Sequence, residues 1–155
     1  MAMPTPSMMV TILCGVSGSG KSTWADHMRP DAAVVSADHF LAVNGEYKFD
    51  PTKLGEAHGA CVKAFIDFCR DGTQDVVVDN TNTSLEEINV YMAIAGAYKR
   101  NVEIVWVQAD PEDAAARNTH KVPYSVVMQM HLDLARTMGN LPPWWPTPIL
   151  ANAQG

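Results

Sequence analysis

Eight residues, Gly15-Val16-Ser17-Gly18-Ser19-Gly20-Lys21-Ser22, constrain this chain more than any other stretch. They follow the apolar run Met-Val-Thr-Ile-Leu-Cys at 9–14, which has the content of a buried strand, and they lead into a helical stretch. Glycines let the backbone bend so that successive N–H groups face inward, and the positive end of the following helix adds to their attraction for an anion. The spacing G-x-x-x-x-G-K-[ST], set between a strand and a helix, is that of a phosphate-binding loop.

The residues expected to hold a nucleoside triphosphate are therefore Gly15, Ser17, Gly18, Ser19, Gly20, Lys21, Ser22 and Thr23, although helix formation alone explains Thr23. Lys21 is expected to neutralise charge at the β and γ phosphates, and the Ser22 hydroxyl to reach a Mg²⁺ ion that bridges them. No Asn-Lys-x-Asp or Thr-Lys-x-Asp tetrapeptide is present; the nearest approach is Thr52-Lys53-Leu54-Gly55. That disfavours a GTPase switch and leaves ATP as the expected nucleotide.

Strand-length apolar runs at 9–14, 33–36, 75–79 and 102–107 alternate with helical periodicity, which predicts an α/β fold: a three-layer P-loop NTPase arrangement with a mostly parallel sheet of four to five strands. Ser84 with Glu87 reads as a capping box, and Asp110 before Pro111 as a cap and a first-turn proline. Leu54, Ala57, Cys61, Phe65 and Phe68 share one helical face, as do Leu85, Ile88, Met92 and Ala95, and both stripes read as core. At 155 residues and 47% hydrophobic content, one domain over 1–141 is expected, followed at 142–155 by a Pro- and Trp-containing tail.

Two acids stand out. Asp79 ends a strand, at the edge where ligands collect in such sheets, and is expected near Mg²⁺; a turn or helix-cap aspartate is the alternative. Asp38 follows the second strand and is expected opposite the loop, where a carboxylate takes the proton of an attacking hydroxyl; here too a turn role stays open.

Taken in order, residues 15–23, Ser36-Ala37-Asp38-His39-Phe40, residues 45–50, Leu54-Gly55-Glu56-Ala57-His58, Asp79-Asn80-Thr81-Asn82 and Arg117-Asn118-x-His120 resemble the polynucleotide-kinase-like P-loop proteins from Leu13 to about Met138. The resemblance implies that Asp38 is a general base, that Asp79 and Asn80 lie near metal and acceptor, and that Arg117 is a lid arginine acting with Lys21 in catalysis. His120 and Lys121 fall in the same segment between two helices, where a mobile lid brings positive charge over the phosphates. His39, Tyr47, His58, Asn80 and Asn82 are the expected acceptor contacts; for His58 a place in the core or at its rim is equally open, and turn chemistry explains the Asn44-Gly45 pair before Tyr47.

Leu41 stands where end-specific members of this family carry an arginine. By resemblance this tilts the expected acceptor from a polynucleotide 5′-hydroxyl toward the 5-hydroxymethyl group of 5-hydroxymethyluracil in phage DNA, on a single-stranded or flipped-out base. Trp144 and Trp145 stack on such bases or dock on the domain; both readings stand. A small-molecule kinase for a nucleoside or sugar, and a non-catalytic nucleotide-binding module, are the alternatives. The net charge of −6 argues against a protein that coats nucleic acid through phosphate contacts, while leaving room for one that grips a few nucleotides. Three cysteines without paired spacing, and no run of 18 apolar residues, give the expectation of a cytoplasmic protein without a membrane partner.

Overall fold

The computed structural model describes residues 8–43, 46–47, 50–72 and 74–152, with the backbone alone at 43, 46 and 47. The strands are β1 (Met9–Cys14), β2 (Ala33–Val35), β3 (Ala42–Val43), β4 (Glu46–Tyr47), β5 (Val76–Asp79), β6 (Asn101–Val107) and β7 (Ile149–Ala151). The α-helices are α1 (Lys21–Met28), α2 (Ala37–Leu41), α3 (Leu54–Asp71), α4 (Leu85–Ala97), α5 (Pro111–Arg117) and α6 (Tyr124–Met138).

Five strands form one sheet in the order β2-β5-β1-β6-β7, every pair parallel, while β3 and β4 pair antiparallel apart from it. The strand period of two sorts β1 onto two faces. Val10, Ile12 and Cys14 join a core with Phe65, Ile88, Val127 and Leu134 under α3, α4 and α6. Leu13 turns the other way and packs with Val77, Val105 and Trp24 under α1. Helices on both faces of a parallel sheet make the three layers and set the phosphate-loop glycines at its carboxyl edge.

Local signals decide the element ends. Ser84 accepts from Glu87 N at 3.2 Å and Glu87 Oε2 from Thr83 N at 2.8 Å, one residue earlier than a standard capping box. Asp110 accepts from Glu112 N and Asp113 N ahead of Pro111. The second strand stops one residue short of the expected 36, because Ser36 turns to cap α2.

The segment expected to be a tail carries the fifth strand. Pro142, Pro143, Pro146 and Pro148 interrupt the pattern that would signal a strand. Residues 149–151 all keep their N–H groups and pair with 105–107 of β6. The tryptophans divide: Trp145 packs against the core, and Trp144 remains 81% exposed. No helix among the described residues is long and apolar enough to cross a membrane.

Candidate active site

β1 ends at Cys14, and the chain turns at once through the glycine loop. Gly15 N donates to Thr81 O at 3.0 Å, tying the loop to the segment after β5. Gly18 has φ +82°, and a Cβ there would lie 2.0 Å from Ala114 O of α5, so no other residue fits. Gly20 (φ +95°) opens α1 in the left-handed region. The Ser19 hydroxyl is buried and has no hydrogen-bond partner among the described residues.

Lys21 Nζ donates to Gly15 O at 3.1 Å and to Val16 O at 3.0 Å, folding back over the loop. Burial pushes its ammonium below the usual lysine range, while Asp79 and then Asp38 pull it back up. Ser22 Oγ donates to Asp79 Oδ2 at 2.7 Å, joining the start of α1 to the end of β5. These oxygens suit a hard divalent cation that takes the rest of its shell from phosphate and water. Among the described residues no cluster of three or more His, Cys, Asp or Glu side chains forms a closed metal cage.

A cavity of about 410 Å³ lies over the loop, bounded by Lys21, Ser22, Asp79, Asn80, Asp38 and the segment 117–120. Asp38 sits in the first turn of α2, where its N–H donates to Ser36 Oγ at 3.1 Å. Asn80 fastens this turn to the sheet: its Oδ1 accepts from Ala37 N at 2.9 Å, and its Nδ2 donates to Tyr91 Oη at 3.3 Å. From the opposite wall His120 Nδ1 approaches Asp38 Oδ2 to 3.6 Å. Arg117, exposed at the end of α5, faces the same space. Asn118 clasps the loop that follows, donating to Ala115 O and Val122 O and accepting from Val122 N.

Of the expected site residues, Ser17, Gly18, Gly20, Lys21, Ser22, Thr23, Asp38, Asp79, Asn80, Arg117 and His120 line this one cavity. Gly15 and Ser19 shape the loop from beneath and are buried. Four residues are not brought there. Asn82 is buried at φ +47° and donates to Leu13 O at 2.7 Å, so its amide is spent holding the backbone. His58 is exposed, because the α3 core stripe runs through Ala57, Cys61 and Phe65, and it borders a separate cavity. His39 is exposed and Lys121, at φ +57°, is exposed; neither lines the space. The Tyr47 side chain, with Asn44, Gly45, Lys48 and Phe49, lies outside the described residues.

Leu41 is a core residue packed with Ala37 and Ala57, so its position on α2 points away from the cavity. Thr81 and Thr119 line the cavity without having been singled out from the sequence as contacts, and the clasp made by Asn118 emerges only from its partners. Its one sequence signal was its place in Arg117-Asn118-x-His120.

A family model described as "AAA domain" matches residues 10–138. NEDD4-binding protein 2 of Homo sapiens is 29% identical over 130 residues, which cover 79% of this chain and 7% of that protein, so the chain spans less than a tenth of this relative's length. Among solved structures, a chain of the Pnkp1/Rnl/Hen1 RNA repair complex superposes with a TM-score of 0.74 at 20% identity, covering 88% of this chain and 47% of that one. The APS kinase CysC of Mycobacterium tuberculosis, in complex with AMPPNP and APS, superposes with a TM-score of 0.57 at 16% identity, covering 94% and 89%. At these identities the structural likeness is one of fold.

Proposed function

The chain belongs to the AAA domain family as a P-loop kinase-like member, and on that premise we propose that it is an ATP-dependent kinase transferring the γ-phosphoryl group to an alcohol. One observation carries the reading: Asp38 stands across a single cavity from Lys21 and the Ser22–Asp79 pair, with Arg117 and His120 on the wall between α5 and α6.

Each group has a part. The loop N–H groups and Lys21 hold the β and γ phosphates. Ser22 and Asp79 would hold Mg²⁺, which would supply charge neutralisation at the phosphate oxygens. The Asp38 carboxylate accepts the proton of the acceptor hydroxyl as that oxygen bonds to the γ-phosphorus; the bond from phosphorus to the β–γ bridging oxygen breaks, and ADP leaves with its electron pair. Arg117 stabilises the charge that builds on the transferring group.

For the acceptor we favour a hydroxyl on nucleic acid, a reading supported by the fold shared with the RNA repair complex. Within it, a hydroxymethylated base such as 5-hydroxymethyluracil in DNA is preferred over a strand end, because Leu41 is buried and α2 carries no Lys or Arg for a neighbouring phosphate. A small-molecule kinase is the second reading, favoured by the net charge of −6 and by a fold shared with APS kinase over most of both chains.

Transfer of labelled γ-phosphate to three acceptors in parallel tests this: a 5′-hydroxyl oligonucleotide, end-blocked DNA containing 5-hydroxymethyluracil, and mixed nucleosides. Label on the blocked DNA is the expected result. Label on free ends alone assigns a strand-end kinase, label on nucleosides alone a small-molecule kinase, and no label with ATP still bound points to a non-catalytic module.

A further inference from the structure

A second cavity, of about 380 Å³, opens between α3 and α4 and shares Asn80 and Thr81 with the phosphate cavity as a common wall. Its sides are helical residues four apart, His58 and Val62 on α3 and Glu86 and Val90 on α4, which places each pair on one face. Tyr91 completes the lining. Its ring is fixed edge-on by Phe65 at a centroid distance of 5.1 Å, and its hydroxyl donates to Cys61 Sγ at 3.2 Å. Asn80 Nδ2 donates to that same hydroxyl while Asn80 Oδ1 holds the α2 turn that carries Asp38. One amide therefore ties the lining of the second cavity to the carboxylate in the first.

The chemistry of the lining selects what fits. Val62, Val90 and Tyr91 are apolar or aromatic, and Val90 stays 40% exposed although it offers only hydrocarbon. The polar groups are His58, Asn80, Thr81, Asn82, Glu86 and Glu87, with Asn82 already donating to Leu13 O and Glu87 accepting from Thr83 N, and no Lys or Arg among the described residues lines the space. An apolar hollow with a few placed polar atoms is what a neutral organic ligand fills. A phosphate there would meet two carboxylates and no fixed cation among the described residues, leaving its charge uncompensated. Ring N–H and sugar O–H groups instead find an acceptor in Glu86.

We propose that the α3–α4 cavity seats the body of the acceptor, an uncharged nucleoside moiety, whose hydroxyl reaches past Asn80 and Thr81 to Asp38. This rests on the kinase reading above and narrows it: the group next to the reacting hydroxyl is a base or sugar without phosphate, either as a free nucleoside or as a base turned out of a strand.

Val90→Trp tests it, since Val90 is exposed on α4 and filling the cavity from there leaves the core in place. Steady-state transfer is measured with 5-hydroxymethyl-2′-deoxyuridine and with end-blocked DNA containing that base, which separates the two sources. The expected result is a rise in the acceptor KM of about tenfold or more, with the ATP KM held within about twofold. In a second variant, Val90→Arg, a nucleoside 3′-phosphate gains about fivefold in kcat/KM relative to the unphosphorylated nucleoside, because the cavity then holds a cation. An acceptor KM unmoved by Val90→Trp while turnover persists overturns the cavity assignment and leaves the kinase reading standing. Absence of transfer by the unaltered protein to either probe and to 5′-hydroxyl ends, with an ATP analogue still bound, overturns both.

Discussion

His120 Nδ1 lies 3.6 Å from Asp38 Oδ2, so the loop between α5 and α6 touches the carboxylate of α2 across the phosphate cavity. Both side chains are partly exposed, which limits such a contact to about 1 kcal/mol or less. It is therefore a latch weak enough for a substrate to displace. His120→Ala is expected to shift Tm by no more than about 4 °C while hydrogen exchange at 118–123 speeds up. Unchanged exchange would show that the Asn118 clasp alone holds the loop.

Asp38→Asn separates chemistry from binding. The variant keeps the shape of the side chain and the hydrogen bonds of Lys21 and Ser22, but it removes the proton acceptor. Transfer is expected to fall about 10²- to 10⁴-fold with ATP affinity nearly unchanged. Full turnover would refute the assignment of Asp38 as the base.

Asn80→Ala acts at a distance from the reacting atoms, because Asn80 Oδ1 holds the N–H of Ala37 beside Asp38. The loosened turn misplaces the carboxylate, and kcat is expected to drop about 10- to 100-fold, with the ATP dissociation constant within about twofold. The lost hydrogen bonds cost about 1–3 kcal/mol of stability. A matching loss of ATP affinity would place Asn80 at the nucleotide instead.

Gly18→Ala meets two obstacles together, a positive φ and a Cβ that would sit 2.0 Å from Ala114 O. Backbone strain and the displaced α5 carbonyl sum to about 3 kcal/mol or more, or a fall of roughly 6–12 °C in Tm. Calorimetry reads it directly, and a Tm unchanged by the substitution would show that α5 moves freely over the loop.

Cys14, Cys61 and Cys69 are all buried. Burial pushes the Cys14 thiol up to about 12. Below about pH 7.5 this thiol is neutral in both folded and unfolded chains and has no effect on stability. From about pH 8.5 to 12 the unfolded chain loses the proton and the folded one keeps it, so stability falls by up to about 1.4 kcal/mol per pH unit from this group. Denaturant titrations across that range should show the decline, and thiol reagents at pH 8 should leave the native protein unlabelled. Rapid native labelling would contradict the burial of these thiols.

The loop from Gly15 to Ser22, the strands β1, β2, β5 and β6, the caps at Ser84 and Asp110 and the stripe Ala57, Cys61, Phe65 were legible in the sequence. Each is a local arrangement, a period of two or 3.6 or a side chain reaching its own backbone, and the chain dictates it without knowing its neighbours. The strand at 149–151 was not legible, because three residues after a proline carry no period and acquire a strand's identity only from β6. The same limit hid the uses of Asn80, Asn82 and His58. An asparagine spent on Ala37 N, one spent on Leu13 O and a histidine facing a different cavity look alike in one dimension. Sequence by itself determined where the glycine loop turns between β1 and α1, since that turn is built from consecutive residues. Only the tertiary structure decided which acids, amides and histidines face it, because parallel strands bring residues dozens of positions apart to one edge, and their side chains are committed by contacts that local chain geometry does not contain.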